Sequence, residues 1–130
     1  IIHDWKRPWR ITGNSSVYRF KLGAFPGLMP YFREHFDEIR QKFRNEQAYL
    51  SWYVDQEKKL SYWPDSWCKS YKYHCLQKIP LAYFKPPVKP EGAKIIVFHG
   101  EINPPDAVNG GGGKWYRYVL PSQWIKDAWQ

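Results

Sequence analysis

The stretch AKIIVFHGEINPPDAVNGGGG, residues 93–113, carries the clearest signal for the fold. An apolar run over residues 95–98 ends on His99 and is followed at once by Gly100. A short apolar run with a glycine behind it predicts a strand that is buried on both faces, as in sheets covered by helices. Ligands of α/β sheets bind beyond the carboxyl ends of the strands, so His99 stands where a ligand site is expected. The four glycines at 110–113 predict a flexible loop after it.

The chain also carries apolar spacings of three and four residues that predict helices. Phenylalanines and an isoleucine at positions 32, 36, 39 and 43 form one face of an amphipathic helix. Asn45 is placed to cap a second helix with its side chain. After Pro121, Trp124 and Trp129 share the apolar face of a terminal helix, which we expect to dock through both indoles.

Further strands are predicted from local pattern. Apolar and polar residues alternate at Tyr18, Phe20 and Leu22, which is typical of a half-buried strand. A short strand is predicted at residues 60–63, and residues 64–77 are equally compatible with a loop or a short helix. Strands interspersed with helices indicate an α/β fold, with a mixed sheet flanked by helices.

Length and charge limit the classes of function. A chain of 130 residues has room for one modest domain, so we expect residues 1–130 to form a single domain. Lysine and arginine outnumber aspartate and glutamate by 20 to 12, which gives a formal charge of +8 and favours an anionic partner. These charges are scattered along the chain, which argues against a dedicated nucleic-acid patch. We expect a cytoplasmic protein that can touch the inner face of the membrane.

The two cysteines, Cys68 and Cys75, have no second pair at the spacing that a zinc site needs. Reduced structural thiols are favoured over a disulfide. His99 has two interpretations from chemistry alone: a ligand for a divalent metal, or a hydrogen-bonded structural histidine at the end of a strand.

Four segments, taken in order, resemble the second half of a GT-A glycosyltransferase. They are GNSSVYRFKLG at 13–23, NEQAYLSWYV at 45–54, KIIVFHGEINPPDAV at 94–108 and PSQWIKDAW at 121–129. The resemblance is to the bacterial nucleotide-sugar enzymes related to family 8, the glycogenin-like retaining transferases. It implies that residues 1–130 are the acceptor-side, C-terminal portion of a Rossmann-like nucleotide-diphospho-sugar transferase fold.

The resemblance also assigns site residues. Asn14 and Ser15 match the family's residues at the start of a strand that lies beside the donor sugar. Gly100, in the loop after His99, is implied as a further donor-binding residue. Glu46 and Gln47 match a catalytic Asp-Gln pair at the start of a helix, with glutamate here in place of aspartate. The longer glutamate side chain moves the carboxylate relative to the position that aspartate would give it.

A metal is implied in the same way. In the family, a histidine at the end of a late strand joins an Asp-x-Asp motif to hold Mn²⁺, or Mg²⁺, on the donor diphosphate, and His99 matches it. These 130 residues contain no Asp-x-Asp motif, and the lysine that the family carries shortly after the histidine is absent. We therefore expect that the isolated chain does not catalyse transfer.

The function implied is metal-dependent transfer of a hexose from a nucleotide diphosphate sugar, UDP-linked by expectation, to a saccharide or lipid-linked hydroxyl. Two alternatives stay open at this point. One is a non-enzymatic module that binds single-stranded nucleic acid through basic and aromatic side chains. The other is an inactive remnant of a glycosyltransferase that has a structural role only.

Overall fold

The computed structural model describes residues 1–111 and 115–129, and the chain divides into two compact units, Ile1–Asp65 and Ser66–Gln130. Each unit contains short helices and one two-stranded sheet, so the chain mixes helices and strands. Two compact units can belong to one domain, and the single-domain assignment stays a prediction. The GT-A fold likewise stays a prediction.

Unit 1 begins with two very short strands, β1 (Ile2–His3) and β2 (Gly13–Asn14). They pair antiparallel, with Ile2 opposite Asn14 and His3 opposite Gly13. Three helices follow: α1 (Leu28–Glu34), α2 (Phe36–Lys42) and α3 (Glu46–Gln56).

The first predicted helix is present but is divided in two. His35 separates α1 from α2 and has non-helical angles, φ −111° and ψ 27°. Ile39 is buried on the predicted apolar face, whereas Phe36 is 43% exposed. The aromatic centre of this unit is Tyr49, which lies within ring-contact distance of four other rings: Phe32, Phe43, Trp52 and Tyr53.

The start of α3 is confirmed as predicted. Asn45 has extended angles, φ −155° and ψ 170°, and its Oδ1 accepts a hydrogen bond from the backbone N–H of Ala48 at 3.1 Å. This bond satisfies one of the N–H groups that the first turn of a helix leaves unpaired.

The strand predicted over residues 18–22 is wrong. The segment is irregular, and Tyr18, Phe20 and Leu22 are 53%, 58% and 92% exposed. Alternation favours a strand only where a neighbouring strand can pair with it, and the structure assigns no such neighbour within the described residues. The strand predicted at 60–63 is wrong as well. Its backbone contacts Ile1 through two hydrogen bonds but is not assigned to a sheet.

Unit 2 is built around a parallel pair of strands, β3 (Cys68–Ser70) and β4 (Ile95–Val97), in which Cys68 lies opposite Ile95. The segment that sequence left ambiguous thus contains a strand, followed by a π-helical turn at Tyr71–Cys75. Short 3₁₀ turns lie at Leu81–Tyr83 and Trp115–Arg117. Two helices complete the unit: α4 (Pro104–Asn109) and α5 (Gln123–Ala128).

The core of unit 2 corrects two predictions about burial. Strand β4 forms where predicted, but Ile95 is 42% exposed and only Val97 is buried, so the strand is not covered on both faces. Helix α5 docks through Ile125 and through Trp124, whose Nε1–H donates to the carbonyl oxygen of Pro87 at 3.0 Å. Trp129 is 62% exposed, so the second indole does not dock. The buried cluster comprises Tyr71, Cys75, Ile102, Ala107, Val119 and Ile125.

Both cysteines are free and buried. Burial raises the pKa of the Cys75 thiol to about 11, because a thiolate is poorly solvated in that core. Of the predicted flexible glycines, Gly110 ends α4 and Gly111 forms a bridge with Val119 through two backbone hydrogen bonds of 2.8 and 2.7 Å. Gly112 and Gly113 lie outside the described residues.

Candidate functional site

Four of the residues assigned through the resemblance lie together in unit 1. The backbone N–H of Ser15 donates to Oε1 of Gln47 at 3.1 Å, and the Ser15 hydroxyl donates to Oε1 of Glu46 at 3.2 Å. Asn14 is the adjacent residue at the end of β2. We call this group, Asn14, Ser15, Glu46 and Gln47, the Ser15 cluster.

The local geometry follows from a turn at the end of β2. Oδ1 of Asn14 accepts from the backbone N–H of Ser16 at 2.8 Å, which closes a tight turn of the kind that asparagine favours. The turn presents the N–H and the hydroxyl of Ser15 to the first turn of α3. Sequence separation within the cluster is 31 and 32 residues, so no local pattern links its two halves.

A buried serine that sequence reasoning missed holds the two halves together. The Ser51 hydroxyl accepts from the backbone N–H of Gly13 at 2.9 Å and donates to the carbonyl oxygen of Gln47 at 2.7 Å. Ser51 is only 1% exposed. In the sequence of an amphipathic helix, a serine that bridges two backbone segments looks the same as a serine that faces solvent.

The Ser15 cluster offers hydrogen-bonding groups of both kinds to a ligand. Because the Ser15 N–H can only donate, the oxygen of the Gln47 amide must face it, and the amide NH₂ points elsewhere. Glu46 is exposed and Gln47 is half-buried, so a ligand can reach the carboxylate and the amide. This pairing of a donor with an acceptor suits hydroxyl groups, which need both.

His99 and Gly100 belong to unit 2. Nε2 of His99 lies 2.7 Å from Oγ of Ser70, a fully buried serine whose hydroxyl also accepts from the backbone N–H of Tyr73 at 3.2 Å. The imidazole of His99, two residues beyond the end of β4, therefore contacts a serine of the neighbouring strand β3. Gly100 is exposed with φ +90°, a conformation that L side chains rarely adopt, which explains glycine at this position.

Metal-binding side chains can be located only among the described residues. Within residues 1–111 and 115–129, no three side chains of histidine, cysteine, aspartate or glutamate are grouped so that they could hold an ion. His99 is one candidate ligand. If its Nε2–H donates to Ser70, the lone pair is on Nδ1, which is how a metal-ligating imidazole is commonly oriented. If the Ser70 hydroxyl donates instead, Nδ1 carries the proton and cannot ligate.

Comparison of the sequence and structure with protein-family models, curated proteins and solved structures finds no match. Over the described ranges, none of the helices has the length and apolar character required to cross a membrane.

Proposed function

We propose that this chain is the C-terminal, acceptor-side portion of a GT-A glycosyltransferase that transfers a hexose from a nucleotide diphosphate sugar to a saccharide or lipid-linked hydroxyl. One observation supports the proposal more than any other. Ser15, which the resemblance assigns to donor binding, is hydrogen-bonded to Glu46 and Gln47, which the resemblance assigns to catalysis and which lie some thirty positions later in the sequence.

The chemistry of the Ser15 cluster suggests a role for each member. The NH₂ of Gln47 donates to a sugar hydroxyl, while its oxygen stays on the Ser15 N–H. The exposed carboxylate of Glu46 accepts from a hydroxyl and orients it for reaction. Asn14 and Ser15 fix the turn on which the sugar ring rests.

The metal remains part of the proposal. His99 would hold it together with ligands beyond those that the described residues supply. When bound, a Mn²⁺ or Mg²⁺ ion neutralises charge on the departing nucleotide diphosphate. The positive charge of the chain, +8, favours the same anionic ligand.

The first test is calorimetric titration of UDP into the full natural protein, with and without Mn²⁺. We expect binding that requires Mn²⁺ and that is lost in His99→Ala. Lack of UDP binding with Mn²⁺ present would refute the UDP-sugar proposal. Binding of single-stranded oligonucleotides that ignores Mn²⁺ and weakens steeply with salt would favour the nucleic-acid module instead.

The second test addresses the Ser15 cluster. Gln47→Glu keeps an oxygen for the Ser15 N–H but removes the NH₂ donor, so the fold is retained and one hydrogen bond to the sugar is lost. We expect affinity for UDP to stay unchanged and affinity for the cognate UDP-hexose, found by titrating UDP-glucose, UDP-galactose and UDP-N-acetylglucosamine, to fall by up to about tenfold. Gln41→Glu, an exposed position in α2, makes the same chemical change as a control. Equal effects of the two variants would contradict the assignment of Gln47.

A further inference from the structure

Unit 1 contains an open pocket of about 580 Å³ that is lined by residues between positions 18 and 29, where the chain runs into α1, by helix α3 and by residues 59–61. This volume lies within the range of small-molecule sites, roughly 300–1,000 Å³. Its lining is mainly apolar and includes Phe20, Phe25, Met29, Leu50, Val54 and Leu60.

The charged residues that line the pocket all have the same sign. Arg19, Lys21 and Lys59 are lining residues, and the described lining contains no carboxylate. Lys59 pairs with Glu57 at 3.2 Å, but the two side chains are 52% and 45% exposed, and exposed pairs of this kind are weak. A ligand anion can therefore compete with Glu57 for the Lys59 ammonium group.

Charge and apolar surface are adjacent in this pocket. The Lys59 ammonium lies 5.4 Å from the centroid of the Phe25 ring. Phe20 and Met29 expose 58% and 52% of their surface, whereas Val54 of α3 is half-buried. Exposed apolar surface with a polar rim commonly marks a binding site.

We propose that this pocket binds a single-chain anionic amphiphile, such as an alkyl or isoprenyl phosphate or a long-chain carboxylate. The chain packs against Phe25 and Val54, and the anionic head contacts Lys21 and Lys59. A neutral apolar ligand would leave the cations unused, and the base and ribose of a nucleotide would face a lining that is mostly apolar. The proposal does not depend on the transferase function.

The direct test is calorimetric titration of decyl phosphate, below its micelle concentration, into the full natural protein. We expect decyl phosphate to bind more tightly than decanol and much more tightly than decyltrimethylammonium. Shortening the chain from decyl to octyl should weaken binding by up to about fifteenfold, since two methylenes leave the apolar lining. No binding of decyl phosphate, or equal affinity for the cationic and anionic amphiphiles, would overturn the proposal.

Variants separate this pocket from general surface attraction. Lys21→Gln and Lys59→Gln should each weaken decyl phosphate binding several-fold. Lys58→Gln makes the same change of charge beside Lys59 but outside the pocket lining, and it should leave binding unchanged. Val54→Trp should fill the pocket and abolish binding, with circular dichroism to establish that the variant is folded.

The lysine variants decide the question even if Val54→Trp does not fold. Equal effects of Lys58→Gln and Lys21→Gln would reduce the site to nonspecific charge attraction and refute the proposal. Binding to phosphatidylglycerol vesicles without binding of monomeric decyl phosphate would also refute it, because it would indicate a membrane-surface patch rather than a pocket.

Discussion

Ser51 is expected to be the side chain on which the geometry of the Ser15 cluster depends most. Its hydroxyl joins β2 to α3 by accepting from the Gly13 N–H and donating to the Gln47 carbonyl. Ser51→Ala removes this bridge while it changes the side-chain volume by one oxygen only.

The magnitude follows from what each partner loses. The Gln47 carbonyl lies within a helix and can keep its backbone partner, so its loss is small. The N–H of Gly13 is buried and loses the Ser51 hydroxyl as its acceptor. Leaving a buried donor unsatisfied costs about 1–3 kcal/mol, so we expect Ser51→Ala to lower the free energy of unfolding of unit 1 by about 2 kcal/mol.

Urea denaturation followed by tryptophan fluorescence measures this loss, and native-state hydrogen exchange of the Gly13 amide locates it. We expect the exchange protection of Gly13 to fall by about thirtyfold, the ratio that corresponds to about 2 kcal/mol. Ser16→Ala is the matched control, since Ser16 is exposed and its hydroxyl makes no hydrogen bond among the described residues. A loss below about 0.5 kcal/mol, or equal losses for both variants, would refute the argument that Ser51 holds β2 on α3.

Three further predictions concern the helix cap, a glycine and the buried thiol. Asn45→Ala should cost about 1 kcal/mol in urea denaturation, because the Ala48 N–H loses its cap, and Asn45→Ser should recover most of it. Gly110→Ala should cost at least about 2 kcal/mol in the same assay, because its φ of +77° is glycine-specific and a Cβ would lie 2.7 Å from Pro121 Cδ; no loss would contradict that geometry. Burial raises the pKa of Cys75 to about 11. The contribution of this thiol to the free energy of unfolding is therefore fully present below about pH 9 and is lost as the pH rises towards 11. Between about pH 9 and 11, the free energy of unfolding measured with urea should fall less in Cys75→Ala than in the wild type. An identical dependence on pH in the two proteins would contradict this prediction.

Local signals in the sequence predicted local structure well. The Asn45 cap and helix α3 depend on a side chain and a backbone N–H that are three residues apart, so sequence contains the whole interaction. The break at His35 was not predicted, because the apolar spacing continues through it and nothing in the pattern indicates non-helical angles there.

Non-local structure was predicted poorly, for a physical reason. Residues 18–22 have the alternation of a strand. A strand forms only where another chain segment supplies hydrogen-bonding partners, and the local sequence pattern does not show whether such a segment is present. The exposure of Ile95 has the same origin, since burial of a strand face depends on what covers it. The proximity of Ser15 to Glu46 and Gln47 was expected only through the resemblance, because no periodicity relates them.

Because the strands of unit 1 are very short, side-chain hydrogen bonds contribute much of what fixes the position of β2. Strand β2 has two residues and pairs with only two residues of β1, so its ladder alone fixes its position weakly. Bonds from Ser51 to Gly13 and from Gln47 to Ser15 supply the remaining constraint. The Gln47 oxygen thus maintains the fold while its NH₂ is directed away from Ser15, and changing one end of this amide without the other can distinguish a structural from a ligand-binding role.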